Sequence, residues 1–225
     1  MVEILYEDNH IIAVNKKSSD LSQGDKSGDI SLDTEVKHYI AKKYDKPGDV
    51  FLGVVHRLDR PVSGVIVYAR TSKALSRLND MFRTGQVKKT YLAIVRERPP
   101  ADEATVTQFL KKNEKQNKTF VFDKEIKDSK EASLTYRVKS RIDRYYLLEI
   151  DLHTGRHHQI RAQLASIGCP VKGDLKYGFP RSNPDGGISL ISRSIEFVHP
   201  VKKERLVINA PVPAGDIWKK FNYSI

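Results

Sequence analysis

Apolar and polar residues alternate near the start of the chain in two short runs, "EILYED" and "IIAVNK", separated by Asp8-Asn9-His10. A period of two sends successive side chains to opposite faces of a strand, so the pair predicts a hairpin. The turn-rich "LSQGDKSGD" after it predicts a mobile loop. A helical period then takes over: Leu32, Val36, Tyr39 and Ile40 share one face behind Ser31, a residue type suited to capping, and the helix should stop before Pro47-Gly48. "GVIVYA" is a continuous apolar run rich in β-branched residues, which predicts a strand covered on both faces. Thr71 or Ser72 should cap a second helix with Leu75, Leu78, Met81 and Phe82 on one face, ended by Gly85 in a left-handed turn.

"KKTYLAIV" opens another strand. From Gln108 to Asp143 the chain is polar and dense in Lys and Glu, and "TFVFD" and "LTYRV" suggest strands exposed on one face, a solvated hairpin being favoured slightly over an edge facing nucleic acid. Strict alternation places Tyr146, Leu148, Ile150 and Leu152 on one side of a strand that leads into "HTGRHHQIRAQLASIG", where Ile160, Leu164 and Ile167 mark a buried helical face and Gly168 its end. "SLISRSIEFVHP" and "ERLVINAPVP" are closing strands before a tail carrying Trp218. Strands returning on themselves among a few helices give an α+β fold on a mainly antiparallel mixed sheet with flanking helices. With no repeat and no low-complexity linker, a single domain over 1–225 is the simplest division.

Charge narrows the class of partner. Lys and Arg number 39 against 28 acids, for a formal charge of +11, and such an excess favours a polyanion through phosphate neutralisation. Nucleic acid comes first and an anionic membrane surface second. No run approaches the roughly 20 apolar residues of a membrane span, and "MVEILYEDNH" lacks the basic and apolar regions of a signal peptide. The single cysteine, Cys169, excludes an intramolecular disulfide and suits a reducing interior. A cytoplasmic location and a monomer are expected.

Two segments concentrate candidate chemistry. In "HRLDRPVSG", Asp59 lies between Arg57 and Arg60; Pro61 biases Arg60 toward extended backbone, and Gly64 permits close approach of a backbone or ligand. The surrounding positive charge suits a carboxylate kept ionised as a nucleophile or base, but a structural salt bridge or an Asx turn explains the local sequence equally well. "HTGRHHQIR" gathers His153, Arg156, His157, His158 and Arg161 at a helix start, where unpaired amides attract anions. Metal is disfavoured there, because Thr154-Gly155 puts a turn between the histidines and the arginines repel a cation. Tyr91 could stack on a base or pack in a sheet, and Gly173-Asp174 reads as a tight turn with Lys172 and Lys176 exposed, equally a solvated turn or an RNA contact.

In this order, the opening hairpin, "GVVHRLDRPVSGVIVYART", "KKTYLAIV", "HTGRHHQIRAQLASIGCPVKGDLKYG" and "EFVHPV" with "LVINAPVP" resemble the RluA-type family of RNA pseudouridine synthases over nearly the whole chain. The resemblance implies the pseudouridine synthase catalytic fold and an isomerase that cuts the bond between ribose and base nitrogen of a uridine in ribosomal or transfer RNA, turns the base and rejoins it through carbon. It implies no metal and no organic cofactor. By position, Asp59 matches the essential aspartate, which starts cleavage by attacking sugar or base or by abstracting a proton. Tyr91 matches the tyrosine that stacks on the target base, and Arg161 the basic residue that pairs with the aspartate. Arg57 matches a residue that fills the space of the extruded base, and His56, Arg60, Arg156, His157 and Gln159 are candidates for binding RNA.

Pro61-Val62 stands where relatives commonly have Asp-Thr, Ser18 follows Lys17 where they usually have proline, and Ile191-Ser192-Arg193 replaces a common Leu-His-Ala. The first hairpin begins at Ile4, so the N-terminal S4 domain that many relatives carry is not expected here. The alternative is a non-catalytic RNA-binding or RNA-chaperone module on the same scaffold. A hydrolase of nucleoside bonds would need a second well-placed carboxylate, and none is evident.

Overall fold

The computed structural model describes residues 2–24 and 28–221. The chain divides into two compact units, Met1–Lys88 with Ser192–Pro211 and Lys89–Ile191 with Val212–Ile225.

In the first unit, β1 (Glu3–Glu7) and β2 (Ile11–Lys16) form the expected hairpin, and Asp8 closes it by accepting the amides of His10 and Ile11 at 2.8 and 3.0 Å. β2 pairs antiparallel with β4 (Ser63–Ala69), which carries a two-residue strand β3 (Gly53–Val54) and neighbours β10 (Leu190–Val198), itself paired with β11 (Arg205–Asn209). Residues Val65–Ala69 are all solvent-free, as the unbroken apolar run requires. One side is covered by α1 (Leu32–Lys43), whose Leu32, Val36 and Ile40 pack with Ile12, Val14, Ile66 and Tyr68. Ser31 occupies the capping position, but its hydroxyl bonds to the side chains of Asp33 and Thr34 rather than to a helix amide. α2 (Ser72–Arg83) starts at Thr71, which accepts the Ala74 amide at 3.2 Å, and ends at Gly85 with φ 73°.

Only part of "LSQGDKSGD" behaves as a solvated loop. Leu21 and Ser22 are buried, and residues 25–27 lie outside the described residues.

In the second unit the strand order is β5 (Lys88–Val95), β9 (Tyr145–Leu152), β8 (Lys130–Ile142), β6 (Glu103–Asn113), β7 (Lys118–Phe122), with every pairing antiparallel. β6 was not evident in the sequence. In β9 Leu147, on the face opposite Leu148 and Ile150, is buried as fully as they are, while Tyr145, Glu149 and Asp151 on its own face are half-buried. α3 (Gln159–Ser166) ends before Gly168, φ 81°, and buries every residue from Gln159 to Leu164, polar ones included. A 3-10 turn (Leu175–Tyr177) follows, and Trp218 sits in a short helix α4 (Asp216–Lys220). Both units are α+β, as expected. No helix among the described residues is long and apolar enough to cross a membrane.

Candidate active site

Asp59 lies in the first unit at the head of a tight turn, its carbonyl accepting the Val62 amide at 3.0 Å across Arg60-Pro61. The residues on either side are fixed through their main chain. Ahead of it, the Ser22 hydroxyl donates to Leu58 O at 2.7 Å and accepts the Leu58 amide at 3.1 Å, while Tyr68 holds Ser22 through its carbonyl. Behind it, Lys16 Nζ donates to the carbonyls of Arg60 (2.9 Å), Val62 (2.7 Å) and Lys17 (3.0 Å), which occupies the three donors of an ammonium. Lys16 is fully buried, and burial lowers its pKa to about 8, opposed by the negative charges of Asp20 and Asp59. The half-buried Asp59 thus stands on a turn whose backbone has little freedom.

The neighbours of Asp59 differ in what they do. His56 accepts the Val67 amide through Nε2 at 2.9 Å and stacks on Phe82, so its ring extends the hydrogen bonding of β4 where β3 stops. Arg60, expected to surround Asp59 with charge, sends its guanidinium to Ser19 O (3.0 Å) and Asp29 (2.8 Å). Within this unit the charge of Lys16 couples to Asp59. Arg57 is exposed and makes no hydrogen bond or ion pair among the described residues. Gly64, at φ 112°, lets β4 meet β10: a Cβ there would come within 2.2 Å of Ser192 O. The close approach foreseen at Gly64 is therefore to a backbone.

The other candidates lie in the second unit. Tyr91 is buried on β5 opposite Ile150. Gln159 is buried as well and closes the loop before α3: its Oε1 accepts the Arg156 amide (3.0 Å) and the Thr154 hydroxyl (2.8 Å), and its Nε2 donates to Ser133 O (3.1 Å). This candidate for binding RNA thus uses its amide oxygen and nitrogen on protein partners. Arg156 is exposed and uses Nε on Glu131 O, while Lys89 Nζ lies 3.5 Å from Thr154 O with its pKa lowered by burial and then by Arg156.

The histidines of this segment engage protein partners. His153 Nε2 is 2.9 Å from the Thr135 hydroxyl, and His157 places Nδ1 2.8 Å from the Thr119 hydroxyl and Nε2 3.1 Å from Asn117 Oδ1. His157 stacks on His158 with ring centroids 3.7 Å apart. His158 starts α3 in a left-handed conformation, and burial, then the Arg161 charge, push its pKa down to about 2. The Tyr177 hydroxyl accepts the Thr119 amide at 2.8 Å and lies 3.0 Å from His158 Nδ1. No group of three or more His, Cys, Asp or Glu suited to hold a metal occurs among the described residues.

Arg161 makes a buried, two-point ion pair with Asp174, Nε to Oδ2 at 2.6 Å and Nη2 to Oδ1 at 2.9 Å. Asp174 is therefore an internal partner, neither the solvated turn residue nor the RNA contact that its sequence suggested. Lys172 is likewise half-buried, bonded to Asn183, while Lys176 is exposed as expected.

Residues 10–166 match the family model described as RNA pseudouridylate synthase. The chain is 30% identical to a tRNA pseudouridine synthase C of Vibrio cholerae over 97% of its own length and 93% of the relative's. It is 33% identical to a ribosomal large subunit pseudouridine synthase D of Xylella fastidiosa, over 94% of its own length and 66% of the relative's. Among solved structures, the human RNA pseudouridylate synthase domain containing 4 superposes with a TM-score of 0.78 at 22% identity, over 96% of this chain and 90% of that one, a likeness of fold.

Proposed function

The chain belongs to the RNA pseudouridylate synthase family, isomerases that act on RNA, and on that premise we propose that Asp59 starts the conversion of a uridine to pseudouridine in a folded RNA. In this conversion the N1–C1′ bond of the nucleoside breaks and a C5–C1′ bond forms. The proton lost from C5 is balanced by one gained at N1, so mass is unchanged and no redox partner or water is consumed.

The observation that carries the assignment is the mounting of Asp59. A carboxylate that must meet one atom of a sugar or base works best from a site organised before substrate arrives, and here the backbone is tied at Leu58, Arg60 and Val62 by side chains from elsewhere in the unit. A base within a stack cannot present its glycosidic bond until it is flipped out. Arg57, exposed and without a protein partner among the described residues, suits the space the base leaves. Tyr91 offers a ring for stacking and Arg161 a fixed positive charge. Arg156 and His157 lie on one loop, where Arg156 meets phosphate. His56, Arg60 and Gln159 support these segments through the bonds described above.

Relatives named for transfer RNA and for the large ribosomal subunit are about equally similar, at 30% and 33% identity, so both RNA classes belong in the test. Asp59→Asn should abolish pseudouridine formation, read by carbodiimide labelling, while RNA affinity stays within about threefold of the parent, since the phosphate contacts remain. Full activity in that variant would overturn the assignment. Pseudouridine maps of total RNA from deletion and parent cells identify the target.

A further inference from the structure

The carboxylate that holds Arg161 has no part in the chemistry just proposed, yet it is buried and held through both its side chain and its main chain. Asp174 is 1% exposed and Arg161 4%. Burying two charges is costly unless geometry and partners are complete, and here the planar fork of the guanidinium meets both carboxylate oxygens. The Asp174 main chain is fixed in turn: its amide donates to Val171 O at 3.0 Å, and its carbonyl accepts from Tyr177 (3.2 Å) and Phe179 (3.0 Å). Val171 bridges to Val95 of β5. The carboxylate is thus carried by a turn anchored to the sheet, while the arginine comes from α3.

A second contact restrains the guanidinium from another direction. The Tyr177 ring centroid lies 5.1 Å from the Arg161 guanidinium carbon, and the ring cannot turn freely because its hydroxyl is tied to Thr119 and His158. A staple between a helix and a turn needs only one such contact. An edge clasp and an aromatic contact together fix the direction in which the group points.

We propose that Asp174 is a positioning residue: by clasping Nε and Nη2 it fixes the plane and the orientation of the Arg161 guanidinium for the reaction. This inference rests on the reading of Arg161 as part of that reaction. The clasp engages two of the five guanidinium donors and, because the group is planar, sets the plane of the whole guanidinium. Without the carboxylate the side chain regains rotation about its outer bonds, and the guanidinium no longer holds one orientation.

The test compares Asp174→Asn and Asp174→Glu with the parent in single-turnover pseudouridine formation at saturating enzyme, alongside RNA affinity, thermal melting and the Arg161 Nε–Hε signal in a nitrogen-15 correlation spectrum. Misplacement of a reacting or stabilising group by about 1 Å costs on the order of 100-fold. Asp174→Asn should therefore slow turnover about 100-fold per folded molecule with RNA affinity within about threefold, and should lose the protected Nε–Hε signal. On an Arg161→Lys background the same change should slow turnover less than about threefold further, because the two residues act as a unit. A folded Asp174→Asn protein that turns over at the parent rate, or that keeps the protected signal, overturns the proposal. If that variant does not fold, Asp174→Glu decides: it keeps the charge on a longer arm and should be at least about tenfold slow at unchanged affinity, whereas full turnover overturns the proposal. If the parent forms no pseudouridine on either RNA class, the functional reading fails, and the nitrogen-15 signal still decides whether Asp174 aims Arg161.

Discussion

Around Asp59 the bonds that fix the segment end on main-chain atoms: Ser22 on Leu58, Lys16 on Arg60 and Val62, His56 on Val67. Around His157 and Arg161 they run largely between side chains: Thr119 to His157, Tyr177 to His158, Thr154 to Gln159, Arg161 to Asp174. The first arrangement holds a backbone through its amides and carbonyls. The second is a web in which each member restrains the next. Lys16 and Ser22, which tie the first segment, lie outside its motif, while the second draws on Thr154 and Gln159 within its motif, Asp174 and Tyr177 beyond it and Thr119 well before it.

The largest effect expected from breaking this contrast is at Lys16. Lys16→Met removes three donors from the carbonyls of Lys17, Arg60 and Val62 and should lower unfolding free energy by about 3 kcal/mol in urea titration, with the second unit's histidine resonances unmoved. A loss under about 1 kcal/mol would mean the turn is held by something other than the ammonium.

Acid probes the other segment. The unfolded chain protonates His158 below its ordinary pKa of 6.5, but the folded protein resists until about pH 2, so the stability due to this depressed group is complete above 6.5 and is lost as pH falls toward 2. The slope is at most about 1.4 kcal/mol per pH unit. His158→Asn tolerates the left-handed backbone at φ 50° and does not titrate, so it should remove about 2 kcal/mol of acid destabilisation between pH 6.5 and 5, a change Lys16→Met should leave in place. Identical acid limbs in parent and His158→Asn would refute the buried neutral imidazole.

The smallest effect sharpens the web itself. Thr119→Val deletes the hydroxyl that bonds both the ring and the carbonyl of His157, and should cost about 1 kcal/mol while shifting the His157 ring resonances. Unshifted resonances would show that Asn117 and the stack on His158 suffice.

Local rules account for most of the scaffold. The alternation of Ile12 and Val14, the unbroken apolar run of Val65–Ala69, the cap at Thr71 and the stops at Gly85 and Gly168 each express a backbone preference that needs no distant partner. β6 escaped because "EATVTQFLKKN" is half polar and acquires its strand character from pairing with β8 and β7. Ser22 was hidden by composition: a turn-rich stretch reads as solvated, and its partner Leu58 is 36 residues away. Asp174 was hidden for a similar reason, since only the return of the chain at Val171 brings it to Arg161. Lys16 did leave a signal. It follows Ile12 and Val14 at a spacing of two, so a lysine sits where the pattern calls for an inward apolar residue, and an exception of that kind marks a buried charge with work to do.

Gly64 also bears on the order in which the protein is made. The strand it meets, through Ser192, leaves the ribosome about 130 residues after it, which at roughly 5–20 residues per second is on the order of ten seconds. During that interval β4 has β2 on one edge and nothing from β10 on the other, although it is among the most apolar stretches of the chain. Nascent chains stalled before Ser192 would expose that edge for as long as the stall lasts, and would be the forms of this protein most dependent on a chaperone.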